Sequence, residues 1–172
     1  HAARSFAASI VVLPDEQARA AAVAYLYCRM LDTYEDLIPE PSVCARELNR
    51  FAERFESFPP AVPSPLSTTL ARDNRDLVYL LLIDRCHLVD SVFSTLSADS
   101  REQISTLVRS MSEGMVWSTE AFHRQGGVLE DQGQLAKYCR NVYLLLILMK
   151  SVNNMKQIEL KYLLATRQTS HF

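Results

Sequence analysis

Glycine is scarce in this chain, with four in 172 residues, and no stretch reads as a strand. The apolar periods are long, and together with the missing glycine they favour an all-helical protein. The four cysteines, Cys28, Cys44, Cys86 and Cys139, are far apart, which excludes a zinc knuckle or a redox Cys-x-x-Cys. They read as small apolar core residues in a reducing compartment. The histidines, His1, His87, His123 and His171, have no metal-ligand spacing. Apolar runs such as Leu77–Ile83 and Val142–Met149 fall well short of the ~20 residues a membrane span needs. Net charge is −2, with no cluster of basic residues, so no global field recruits nucleic acid or an anionic membrane. The chain begins with His1, the mark of a fragment, a processed product or a partial reading frame, and its start does not resemble a signal peptide.

What the chain does have is enough apolar sequence, 48% of residues, to build one core. Pro14-Asp15-Glu16 opens a first helix with acids at its positive end, and the pattern runs to about Leu37, before Pro39 and Pro41. Ser42 is placed to cap a second helix carrying Leu48, Phe51, Phe55 and Phe58. Pro59, Pro60, Pro63 and Pro65 make a loop. A third helical region is clearest from Leu77 to Leu96, and the charged stretch Arg72, Asp73, Arg75 and Asp76 before it reads as solvated. Ser97 or Asp99 starts a fourth helix, which Gly126-Gly127 ends. Asp131 with Gln134 caps a fifth, carrying Tyr138 and Cys139.

The first helix is apolar nearly all round, as buried helices are. Yet it ends in Arg29-Met-Leu-Asp32-Thr-Tyr-Glu35-Asp36. At ~100° per residue, Arg29, Asp32 and Asp36 share a face with Ala18, Ala21, Tyr25 and Cys28. Carboxylates there face the interior or a cavity, where an unpaired charge costs several kcal/mol, so a cation is expected to join them. The plain alternative is that Asp32 pairs with Arg29 and Asp36 sits at a frayed end. Arg4 can equally be a surface residue, Ser5 a turn residue, and Tyr138 ordinary core.

Three phrases in order change the weight: Arg4-Ser5-Phe6, then Arg29-x-Leu-Asp32-Thr-x-Glu35-Asp36, then Lys137-Tyr138-Cys139. This set resembles the squalene/phytoene synthase family from about Ala3 to Val142, with the aspartate phrase nearer the squalene-synthase form. Gly114, with Met111 and Met115, fits the family's helix before the Tyr-Cys pair, and close helix packing explains these three equally well. The resemblance implies an all-α isoprenoid-synthase bundle around a central cavity. It implies a transferase of isoprenoid biosynthesis that joins two prenyl diphosphates, farnesyl or geranylgeranyl, head to head. By the same resemblance, Asp32 and Asp36 hold Mg²⁺, Arg4, Ser5 and Arg29 contact the diphosphate, and Tyr138 lies near the departing diphosphate and the carbocation. NADPH enters only for a squalene-type, reduced product. The expected partner is a prenyl diphosphate, with no nucleic acid. A monomer is expected in the cytoplasm, with peripheral membrane contact left open because such substrates are lipids.

Two departures stand out. Ala3 replaces the first Ser of the family signature, and no aspartate follows Asp131, so the family's second Asp-x-x-x-Asp is absent. No lysine precedes Lys137; twelve arginines serve up to there. Residues 1–142 are therefore read as the N-terminal part of the family domain. Residues 143–172 are read as a divergent tail, from a frameshift, retained intron or gene break, which leaves the bundle truncated and the enzyme incomplete. Two alternatives compete: a non-catalytic assembly or scaffold protein of the same fold, and a plain helical interaction domain in which the aspartates are incidental.

Overall fold

A computed structural model describes residues 13–138. Every regular element among them is helical. Helix α1 is Asp15–Leu37, α2 Pro41–Glu53, α3 Asn74–Asp84, α4 Cys86–Ser94 and α5 Ala98–Arg124. A further helix begins at 132. The all-helical expectation stands.

α1 starts at the positive-dipole acids Asp15 and Glu16 and stops where Ile38 turns extended ahead of Pro39. A residue before proline is pushed out of the helical region, which fixes that end. α2 differs from its expected start: Pro41, not Ser42, opens it. Proline lacks the N–H that a first-turn position leaves unpaired anyway, so it fits there. Ser42 sits inside the first turn, and its hydroxyl donates to Glu40 Oε1 at 3.1 Å. α2 also ends earlier than Phe58. A short 3₁₀ turn, Arg54–Glu56, carries Phe55 into the core, while Phe58 is exposed with Arg101 over its ring.

The third helical region is two helices. Its buried residues Leu80, Ile83, Cys86 and Val89 recur every three positions. On a straight α-helix such a stripe drifts away from its partner, because three residues fall short of a full turn. At Arg85 one tighter i→i+3 bond, from the Leu88 N–H to the Arg85 carbonyl, resets the phase, and both α3 and α4 keep their buried faces on α1. The preceding charges are not simply solvated. Asp73 caps α3 by accepting from the backbone N–H groups of Arg75 and Asp76 at 2.8 and 2.9 Å. Asp76 is buried and accepts from Arg72 Nε at 2.8 Å. The Arg72 guanidinium holds its carboxyl below the usual range.

α5 is capped by Ser97, whose Oγ accepts from the Ser100 N–H at 3.3 Å. It ends at a left-handed Gly126 (φ 67°), and the Gly127 N–H closes back on the Phe122 carbonyl at 2.8 Å. That is the Schellman arrangement, and it needs a residue without a Cβ penalty at position 126. Asp131 then accepts from the Gln134 N–H at 2.8 Å, opening the next helix as expected. α2 packs chiefly on α5, and α1 lies against α2, α3, α4 and α5. Cys28, Cys44 and Cys86 are buried and free. Gly114 and Met115 are buried on α5, and Met111 packs at the core's edge.

Tyr27, Phe51, Phe55 and Phe93 meet edge to face in the core, with centroids 5.1–6.4 Å apart. Beside them lies an ion pair: Arg54, 3% exposed, donates to Asp90 Oδ2 at 2.7 Å. The Tyr27 hydroxyl takes the other Asp90 oxygen at 2.7 Å. Arg54 Nε also bonds the Ala61 carbonyl, tying the proline-rich loop to the core. Removing one partner of such a pair strands a charge. Arg54→Met is expected to cost about 3 kcal/mol, at the lower end for breaking a buried pair. The double variant Arg54→Met with Asp90→Leu should recover at least half of that in urea unfolding, since paired apolar replacement is often neutral.

Candidate functional site

The last two turns of α1 place Arg29, Asp32, Glu35 and Asp36 where the helix leaves its packed surroundings. Asp32 is half-buried and meets Arg29 across one turn, with NH1 to Oδ2 at 3.4 Å. The Arg29 guanidinium lies over the Tyr79 ring of α3 at 5.0 Å. Its Nε is buried and has no hydrogen-bond partner among the described residues. An orphaned buried donor on a guanidinium is a place for an anionic oxygen.

The sequence put both aspartates toward the interior. The structure does so for Asp32, while Asp36 is exposed. The carboxylate that shares the interior with Asp32 is Glu35, which the sequence reading left without a role. Glu35 accepts from Ser118 Oγ of α5 at 3.3 Å. Ser118 is itself buried, and its single proton is shared between Glu35 and the Met115 carbonyl at 3.0 Å. Arg72 was missed too: its guanidinium is close enough to feel the charge of Asp36. Neither could be read from spacing, because both depend on how α5 and the α3 approach dock on α1.

Burial pushes the Asp32 carboxyl up to about 6, with Arg29 opposing and Asp36 adding. Burial also pushes Glu35 up to about 7, reinforced by the charges of Asp32 and Asp36 and opposed by the Ser118 hydroxyl. Of the two arginines near these three carboxylates, Arg29 pairs with Asp32 and Arg72 is already paired with Asp76, so the cluster is short of positive charge. Among the described residues, no group of three His, Cys, Asp or Glu side chains converges to cage a metal ion. Any cation here would complete its shell with water or a bound ligand's oxygens.

Tyr138 stands edge-on to Phe122 of α5, with ring centroids 5.8 Å apart. Phe122 is four residues past Ser118, so Tyr138 contacts the same face of α5 that receives Glu35, one turn further along. Lys137 lies over the Trp117 ring at 4.2 Å. Arg4, Ser5, Cys139 and the segment from Val142 lie outside the described residues.

These features define an all-helical protein with a half-buried carboxylate cluster and a ring-stacked arginine at the end of its central helix. The family model Squalene/phytoene synthase matches residues 1–151, and the chain belongs to that family, whose members are prenyltransferases. No curated protein and no solved structure gave a significant match. No helix among the described residues is long and apolar enough to cross a membrane.

The raised carboxyls fix a sign for stability. Their folded-state values exceed the ordinary 3.8 and 4.5, so the folded state holds more protons than the unfolded one between those limits. Stability is then fully present below about pH 4 and falls as pH rises through about 6–7. In metal-free buffer, Glu35→Gln should gain about 1–2 kcal/mol at pH 8, discounted for partial solvent access, and nothing below pH 4. Urea melts of both proteins at the two pH values check this, and an equal gain at both would contradict the assignment.

Proposed function

We propose that this chain binds a prenyl diphosphate at the end of α1 and acts in head-to-head coupling of two such molecules, farnesyl or geranylgeranyl diphosphate. The observation that carries the reading is the orphaned, buried Arg29 Nε beside the half-buried, cation-poor Asp32. An arginine fork suits diphosphate oxygens. By family resemblance, Arg4 and Ser5 would add contacts to the same group.

Asp32 and Asp36 offer hard oxygen ligands, and Mg²⁺ favours one or two carboxylates completed by phosphate oxygens. The described residues form no all-protein cage, in keeping with that mode. Bound there, Mg²⁺ would neutralise the diphosphate's charge and make it a better leaving group. Glu35, held by Ser118, keeps the acidic turn docked on α5. Arg29, pinned on the Tyr79 ring, is oriented before any ligand arrives. The Tyr138 ring, on the same face of α5, would stand near the departing diphosphate and stabilise developing positive charge. A squalene-type product needs NADPH as reductant, whereas a phytoene-type product forms by proton loss.

A second reading is a non-catalytic member of the same fold. One observation favours it: these 172 residues contain a single Asp-x-x-x-Asp. Titration with a non-hydrolysable farnesyl diphosphate analogue separates the readings. Magnesium-dependent binding is expected, weakened at least about tenfold in Asp32→Asn, the scale of losing one charge-assisted contact. No binding at millimolar Mg²⁺ would falsify the site assignment. Binding without product from true substrate would favour the scaffold.

A further inference from the structure

The outer face of α3 and α4 is apolar and open. Val78, Leu81, Leu88 and Val92 are 62%, 47%, 55% and 39% exposed, and Leu77 beside them is 44% exposed. The inner faces of both helices rest on α1, so this stripe points away from the core. It runs about 22 Å at ~1.5 Å per residue, longer than the scattered exposed apolar residues of an ordinary surface. Val78 and Leu81 lie three apart on α3, and Leu88 and Val92 four apart on α4, so each pair shares one helix face. One pair of charges breaks the stripe at its midpoint: Asp84 and Arg85, both exposed and in no ion pair among the described residues.

We propose that this face is a self-association surface on which a second copy of the chain packs antiparallel, about a two-fold axis passing between Asp84 and Arg85. That axis pairs three of the stripe's leucines, Val92 and both charges, with Val78 falling opposite Ser91 at the edge. It sets Leu81 against the second copy's Leu88, Leu77 against its Val92, and Asp84 against its Arg85, and symmetry makes each contact twice. An isologous interface requires this kind of self-complementarity. The charges also fix the register, because a slip of one turn would face Asp84 with an apolar side chain and strand its charge. A lipid surface is the poorer occupant, since Asp84 would then be pressed into it without a partner. The stripe is smaller than a standard interface, so the dimer is weak and concentration-dependent. The proposal differs from the monomer expected from the sequence, and it stands independently of the diphosphate site.

Sedimentation velocity of the full chain over a roughly hundredfold concentration range tests it, since mass action must then shift the oligomer. A reversible monomer–dimer equilibrium is expected. Asp84→Arg and Arg85→Asp should each weaken it at least about tenfold by facing like charges, while the double swap restores it. Circular dichroism melts confirm that each variant stays folded. A monomer at every concentration overturns the proposal. If Leu81→Asp then lowers the melting temperature, the chain's own residues 139–172 cover the face. If the monomer instead sediments with zwitterionic lipid vesicles, lipid covers it. Association that ignores both single swaps also overturns it.

Discussion

The burial of α1 is the constraint on which the rest depends. Helices α2, α3, α4 and α5 all pack against it, and its small residues Ala20, Ala21 and Ala24 let them come close. A helix so enclosed cannot choose freely where its polar end faces. Its last turns bring Asp32 and Glu35 into partly desolvated ground between α3 and α5. Water no longer fully supports their charge, and the shifts to about 6 and 7 are the direct result. The site is therefore a consequence of the packing as much as an addition to it.

Two arginine–aspartate pairs in this fold show how differently the same chemistry can be used. At Asp90, both carboxylate oxygens have donors, from Arg54 and Tyr27, and the arginine's Nε bonds a carbonyl. That cluster ties α1, α4 and the end of α2 together. At Asp32, the partner lies at 3.4 Å and keeps an orphaned Nε, while two further carboxylates crowd the same turn. Each arginine keeps one buried nitrogen without a partner among the described residues, Arg54 Nη1 and Arg29 Nε. What separates the two clusters is the carboxylate side: Asp90 has donors on both oxygens, while Glu35 and Asp36 crowd Asp32 with charge that Arg29 alone does not balance.

Much of this was legible in the sequence where local rules dominate. The span of α1, the Ser97 and Asp131 caps and the Gly126 terminus all follow from residues within one turn of each boundary. So did the Arg29–Asp32 pairing, since three residues along a helix suffice to place it. What stayed hidden depends on docking between helices. The break at Arg85 comes from a stripe with a three-residue period meeting α1. Glu35 gains its role only because Ser118, far away in sequence, faces it. Asp76 looked solvated until Arg72 folded over it. Asp36 looked buried by its spacing, yet the helix end leaves it exposed.

The use of arginine before residue 137 also acquires a physical meaning. Arg29 lies over Tyr79, Arg54 over Phe51 and Phe55, and Arg101 over Phe58. In each case a planar cation lies against a ring while keeping in-plane donors for a carboxylate or carbonyl. Lysine could supply the charge but not the plane or the fork, and its compact, strongly hydrated ammonium resists desolvation at a site such as Arg54. The one described lysine on an aromatic ring, Lys137 over Trp117, is exposed and free of that demand. Stacked arginines therefore do two jobs here. They fill apolar space along the edges of the core, and they hold oriented donors toward Asp90 in one place and toward Asp32 in the other.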